Sequence, residues 1–169
     1  MGLPRKLANF ATFADGVNYM GEMPEVTLPK LGRKVEEYRG GGMDGPIDLD
    51  FGQEKMEAEL KAAGWIKGLM KKWGAGTHDA VLLRFAGGIR SDDSDAVIAA
   101  EVVMRGRLIE RDNGSAKAGE MTEQTYKYSL SYYKETVDGE VVVEIDLVNM
   151  VCIVDGEDRN SAVRAALGI

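Results

Sequence analysis

The stretch Tyr38-Arg39-Gly40-Gly41-Gly42-Met43-Asp44-Gly45-Pro46 sets glycines 40, 42 and 45 in the spacing G-x-G-x-x-G. In a dinucleotide-binding turn such glycines follow a strand and open a helix whose first N–H groups receive a pyrophosphate. Here Pro46 follows at once, and Ile47-Asp48-Leu49-Asp50-Phe51-Gly52 alternates as a strand does. No lysine follows the last glycine, so the stretch is no P-loop either. What the glycines supply is backbone freedom at φ > 0 in a connection between two strands. Connections of this kind are often contact elements that order against a partner.

The other reactive side chains are few. His78, in Gly74-Ala75-Gly76-Thr77-His78-Asp79, is the single histidine, and no partner motif points at it, so it reads as a solvated loop residue. Cys152, within Val148-Asn149-Met150-Val151-Cys152-Ile153-Val154, reads as a buried thiol rather than a nucleophile. One His and one Cys cannot write a zinc cluster. Asp92, Asp93 and Asp95 lack the glycine and closing glutamate of a calcium loop and read as a solvated turn. Asp50-Phe51-Gly52 matches the kinase metal triplet without the catalytic loop that gives it meaning. The residues therefore predict no enzymatic activity, no cofactor and no metal site.

The chain has 169 residues and a formal net charge of −7. That length suits one domain, residues 1–169, able to bury about 70% of its unfolded surface without disulfides or metal. The acid excess argues against gripping nucleic acid by its phosphates, which takes clustered Lys and Arg. An acidic protein can still surround nucleic acid without holding it. No apolar run approaches the ~18 residues of a membrane helix, and the first residues carry no hydrophobic secretory core. The expectation is synthesis in the cytoplasm and no stable membrane insertion.

Positioning elements are mostly strands. Met56, Ala58 and Leu60 alternate with Lys55, Glu57, Glu59 and Lys61; Val102, Met104, Gly106 and Leu108 oppose Glu101, Arg105, Arg107 and Arg111. Tyr126, Tyr128, Leu130 and Tyr132 share one face of a third run, and Val141, Val143, Ile145 and Leu147 one face of a fourth. Asp15-Gly16, Asp138-Gly139 and Asp155-Gly156 are hairpin-turn dipeptides. Two segments break the alternation. Trp65, Leu69 and Trp73, with Ile66 and Met70, predict an amphipathic helix that packs its stripe into the core and ends at Gly74. Asp158 is placed to cap a short helix stopped by Gly168. The expected class is mainly β: an antiparallel barrel or sandwich with one flanking helix and a short C-terminal helix.

Several short motifs, taken in order, resemble a known family. They are Leu28-Pro29-Lys30-Leu31, Tyr38-Arg39-Gly40 with Gly41-Gly42-Met43, Met104-Arg105-Gly106, Lys117-Ala118-Gly119-Glu120, Tyr133-Lys134, Asp138-Gly139, and Glu144-Ile145-Asp146 with Asn149. Colinear over both ends and the second half of the chain, they resemble the major tail tube protein of contractile-tailed bacteriophages and the related tube subunit of R-type pyocins. The match is weakest from Glu54 to Asp95.

The resemblance implies a structural subunit whose copies close into six-membered rings. Rings stack into the inner tube of a virion tail, which conducts the genome and is driven through the host envelope when the sheath contracts. Implied partners are the chain itself, a sheath protein, a tape measure protein inside the lumen, and terminator and baseplate proteins; DNA passes without specific binding. The implied ring-stacking contact maps onto Tyr38, Arg39, Gly40, Gly41, Gly42, Met43, Asp44, Gly45, Pro46, Ile47 and Asp48, a loop expected to order on assembly. Excess Asp and Glu are expected along the channel. Two alternatives stay open: a monomeric β-barrel carrier, and a bacteriocin or type VI secretion tube homologue.

Overall fold

Period-two alternation folds most of this chain into antiparallel strands. The structure, a computed structural model, describes residues 2–169. β1 (Lys6–Ala14), β2 (Val17–Asn18) and β3 (Glu25–Thr27) precede a separate hairpin of β4 (Arg33–Tyr38) and β5 (Ile47–Gln53). β6 (Met56–Ala63) and the short helix α1 (Lys67–Met70) lead to β7 (Val81–Arg90), β8 (Val97–Asp112) and β9 (Glu123–Val137). β10 (Glu140–Asp146), β11 (Val151–Val154), β12 (Glu157–Asp158) and α2 (Ser161–Leu167) complete it. The main sheet runs β12-β11-β10-β9-β8-β7-β1-β2, with β6 also on β9 and β3 on β6.

The three Asp-Gly dipeptides make the tight turns of β1–β2, β9–β10 and β11–β12. Each pair has both residues at positive φ, 48° and 81° for Asp15-Gly16, 53° and 80° for Asp138-Gly139, 53° and 75° for Asp155-Gly156. That geometry matches the right-handed twist of the strands they join.

The core lies against one face of the sheet. Met56, Ala58, Leu60 and Ala62 of β6 are buried, as are Val81, Leu83 and Phe85 of β7 and Val102, Met104 and Leu108 of β8. Tyr126, Tyr128 and Leu130 of β9 join them, with Ile66 and Leu69 closing the cluster from the α1 side. Each fully buried large side chain contributes roughly 1.5–3 kcal/mol.

Three expectations about the strands change, each for a local reason. Tyr132 does not share the core face; Tyr133 takes that place. Arg105 pairs with Tyr132 but Gly106 with Leu130, so Ser131 is an extra residue and the alternation slips by one. Ser131 also marks where the outer edge of β9 changes partner, from β6 up to Leu130 to β10 from Tyr132. A second irregularity between Leu108 and Glu110 carries Arg111 opposite Tyr126 on the core side, away from Arg105 and Arg107. Leu147 falls outside β10, which ends where Asp146 Oδ1 accepts the N–H groups of Val148 and Asn149.

The predicted amphipathic helix is a single turn. Ile66 and Leu69 are buried, but Trp65 and Trp73 are 64% and 56% exposed. Gly64 at φ 91° and Gly74 at φ 76° break the backbone on both sides, and one turn cannot hold residues eight apart on one stripe. At the C-terminus Gly168 ends α2 in the left-handed region, as expected, while Asn160 occupies the N-cap position. Asp158 binds the helix from outside it: Oδ1 accepts the Asn160 N–H at 3.0 Å, and the carboxylate pairs with Arg164.

Candidate assembly interface

The glycine motif sits at the tip of an arm. β4 and β5 pair Tyr38 with Ile47, Glu37 with Asp48, Glu36 with Leu49 and Val35 with Asp50, and neither strand joins the main sheet. At its base Glu54 donates its N–H to Gly32 O at 2.9 Å. At its tip Met43 donates to Gly40 O, Arg39 Nε donates to Met43 O, and Gly42 stands at φ 85°. Of the eleven residues expected to form a loop, Tyr38 lies in β4, and Ile47 and Asp48 lie in β5. Only Arg39 to Pro46 form the connection.

Pairing and alternation give the arm two faces. Tyr38, Ile47 and Leu49 share one, with Glu36; Val35, Glu37, Asp48 and Asp50 share the other. Tyr38 and Ile47 are each 52% exposed, and Val35, Leu49 and Phe51 are exposed with them. Arg33 pairs with Asp50 at 2.9 Å and, with the Gly52 N–H, holds that carboxyl below its ordinary value. An isolated two-stranded hairpin is marginally stable in water, and this one leaves an apolar face uncovered.

The sheet has open edges too. β1 meets β2 at Phe13 and Ala14, and Thr12 O accepts the Tyr19 N–H at 2.9 Å, leaving Lys6 to Ala11 with an open outer edge among the described residues. β6 meets β3 only from Glu59 to Lys61, leaving Met56 to Ala58 open on that side. Unpaired edges are templates for pairing with another chain. The sheet face turned away from the core carries Lys61, Arg84, Arg105, Arg107, Lys127 and Lys134 against Glu57, Glu59, Glu101, Glu110 and Asp112. Arg84 pairs with Glu101 at 2.8 Å and Lys127 with Glu57 at 3.2 Å. This face is close to neutral, so the acid excess of the chain lies on the arm and the loops.

The remaining sequence candidates serve the scaffold. His78 Nδ1 lies 2.8 Å from Ser131 Oγ, a contact that no sequence spacing announced, and it pins the Gly74–Asp79 loop to the bulge in β9. Among the described residues no carboxylate bonds the other ring nitrogen, which a catalytic triad needs. Asp92 pairs with Lys6 at 2.8 Å and Asp93 accepts the Leu3 N–H, so the acidic turn clamps the N-terminal segment. Cys152 is half-buried in β11. Among the described residues no three His, Cys, Asp or Glu side chains converge on a metal position, and no helix is long and apolar enough to cross a membrane.

Comparison with known proteins agrees with an assembly role. The chain is 42% identical to the tail tube protein of Escherichia phage P2, over all of both chains. It is 41% identical to the major tail tube protein of Serratia phage KSP20, over 94% of this chain and 92% of that one. Its fold matches a chain of the sheath–tube complex of an extracellular contractile injection system, with a TM-score of 0.59 and 8% identity, over 79% of this chain and 91% of that one. It also matches a chain of the anti-feeding prophage tube-terminating cap, with a TM-score of 0.62 and 9% identity, over 80% and 93% of the two. The model of the phage tail tube protein FII family matches residues 4–168. Matched by the family model over residues 4–168 and by relatives of this kind along its whole length, the chain belongs to the phage tail tube protein FII family and is a structural tube subunit of a contractile tail.

Proposed function

We propose that copies of this chain close side by side into six-membered rings, and that the rings stack through the arm into the inner tube of the tail. The observation that carries this reading is the arm itself, a two-stranded hairpin off the main sheet with Tyr38, Ile47 and Leu49 on an uncovered face. The open edges of β1 and β6 support lateral closure, because pairing between neighbours removes both edges at once. The tube conducts the genome, is gripped outside by a sheath, and holds a tape measure protein during assembly. Terminator and baseplate proteins finish its two ends. A channel lined by the face of β6 to β9 turned away from the core has near-balanced charge, which lets DNA slide without a phosphate-gripping surface. The chain contributes geometry and takes no catalytic step.

Purified protein tests the reading by size-exclusion chromatography and negative-stain microscopy. The full chain forms rings or hollow rods as concentration rises. A variant with residues 39–46 replaced by a two-residue Asn-Gly turn stops at rings or monomers. A full chain that stays monomeric at every concentration sinks the proposal and favours a carrier.

A further inference from the structure

The end of β6 opposite the arm carries an exposed apolar patch. The arm leaves the body beside Met56, where β6 begins against Leu130; β6 ends at Ala63 against Glu123. Eight residues of strand put these ends roughly 25 Å apart. At the far end three loops come together. Ala63 donates its N–H to Glu22 O and Gly64 to Thr122 O, both at 2.8 Å, and Lys72 pairs with Asp15 at 2.9 Å. Around these contacts Val17, Met20, Trp65, Trp73 and Met121 are all exposed. Both tryptophans of the chain are among them. Scattered exposed apolar residues need no explanation, but five large ones on adjoining loops form a patch, and tryptophans are the side chains most often found at the centre of interfaces.

The Trp65–Trp73 loop of this patch complements the arm in charge. Residues 64–74 hold three lysines and no acid, and among the described residues Lys67 and Lys71 make no ion pair. Residues 36–50 hold five carboxylates and one arginine, and among the described residues Glu36, Glu37, Asp44 and Asp48 make no ion pair. Both surfaces are thus part apolar and part charged, with opposite signs. They sit at opposite ends of one strand. A contact between them joins different surfaces of two copies and repeats head to tail, which builds an open stack where its rotation does not close.

We propose that the arm of one copy lays its Tyr38–Ile47–Leu49 face on the Trp65–Trp73 patch of a copy in the next ring, with Lys67 and Lys71 meeting Glu36 on that face and Asp44 at the tip. This rests on the stacking reading and adds where the arm lands. Arm residues Arg33 to Tyr38 extend about 20 Å, a reach beyond the subunit's own sheet.

Acrylamide quenching of the two tryptophans in the wild-type chain, before and after rod formation, tests the inference without any variant. Both tryptophans lose quencher access as rods form. In a Cys152→Ser background, Ile47→Cys with Trp73→Cys gives disulfide-linked ladders in rods and none in dilute subunit. Lys67→Glu with Lys71→Glu raises the concentration needed for assembly about tenfold, and adding Glu36→Lys with Asp44→Lys restores it. A wild-type chain that forms no rods removes the stacking reading itself. Rods that need the arm but leave both tryptophans open to quencher, with no cross-link, overturn the docking site alone. Protection that appears only when a sheath protein is added also overturns it and assigns the patch to the sheath.

Discussion

Gly106 is where a single methyl group tests how the sheet is built. It lies in β8 at the bulge, with Gly106 opposite Leu130 and Arg105 opposite Tyr132. A Cβ there overlaps the carbonyl oxygen of Ser129 and approaches Leu130 Cδ2 and the Ser129 carbonyl carbon to 2.9 Å. The obstacle is mostly backbone of the paired strand, so no rotamer change relieves it. Overpacking of a core costs about 1–3 kcal/mol, and a clash with backbone belongs at the top of that range, about 3 kcal/mol for Gly106→Ala. For a chain of this length each kcal/mol moves the melting temperature by about 2–4 °C, so the expected drop is roughly 6–12 °C. Far-UV circular dichroism of the unassembled subunit, at one fixed concentration, reads it without the mass-action stabilisation of assembly. Gly41→Ala is the control: nothing lies within 4 Å of its Cβ and its φ is not positive, so its effect stays within about 0.5 kcal/mol. A Gly106→Ala melting curve that superimposes on that of Gly41→Ala refutes the account of the bulge.

Two other outcomes follow from burial. Leu60→Ala, at a fully buried site in β6, lowers subunit stability in urea titration by about 2–5 kcal/mol, whereas Leu49→Ala on the arm stays within about 0.5 kcal/mol until the tube assembles. Alkaline pH destabilises the subunit: burial first, then the hydrogen bond to Glu144, pushes the Tyr132 phenol up to about 12, and burial raises Tyr128 and Tyr133 further. Folding favours the neutral phenols, so this contribution is whole below pH 10 and is lost as pH climbs toward 12 and beyond. Tyrosinate absorbance followed alongside circular dichroism checks it, and full ionisation near pH 10 with the fold intact contradicts it.

Much of the molecule was legible in the residues themselves. Alternation marked β6, β8 and the first half of β9 with the correct core face, because a strand with one wet face must place apolar side chains every second residue. The Asp-Gly pairs located three turns, because only residues tolerant of positive φ close a two-residue hairpin. Pro46 and the alternation after it read as a strand rather than a phosphate-binding helix, and β5 begins at Ile47. The family resemblance added the assembly role, which no residue chemistry could supply.

What the tertiary structure decided was phase and exposure. Tyr132 and Tyr133 differ by one position, and only the extra residue at Ser131, fixed by how β8 and β9 pair, says which enters the core. The tryptophan stripe fits a helix on paper, but glycines at positions 64 and 74 end it after one turn, and Trp65 and Trp73 face outward. The glycine run is a connection in the sequence. Folded, it is the tip of an arm whose apolar face has no cover in its own subunit. Local sequence sets which residues are able to pair; register, set by long-range pairing, decides which of them are left for a partner.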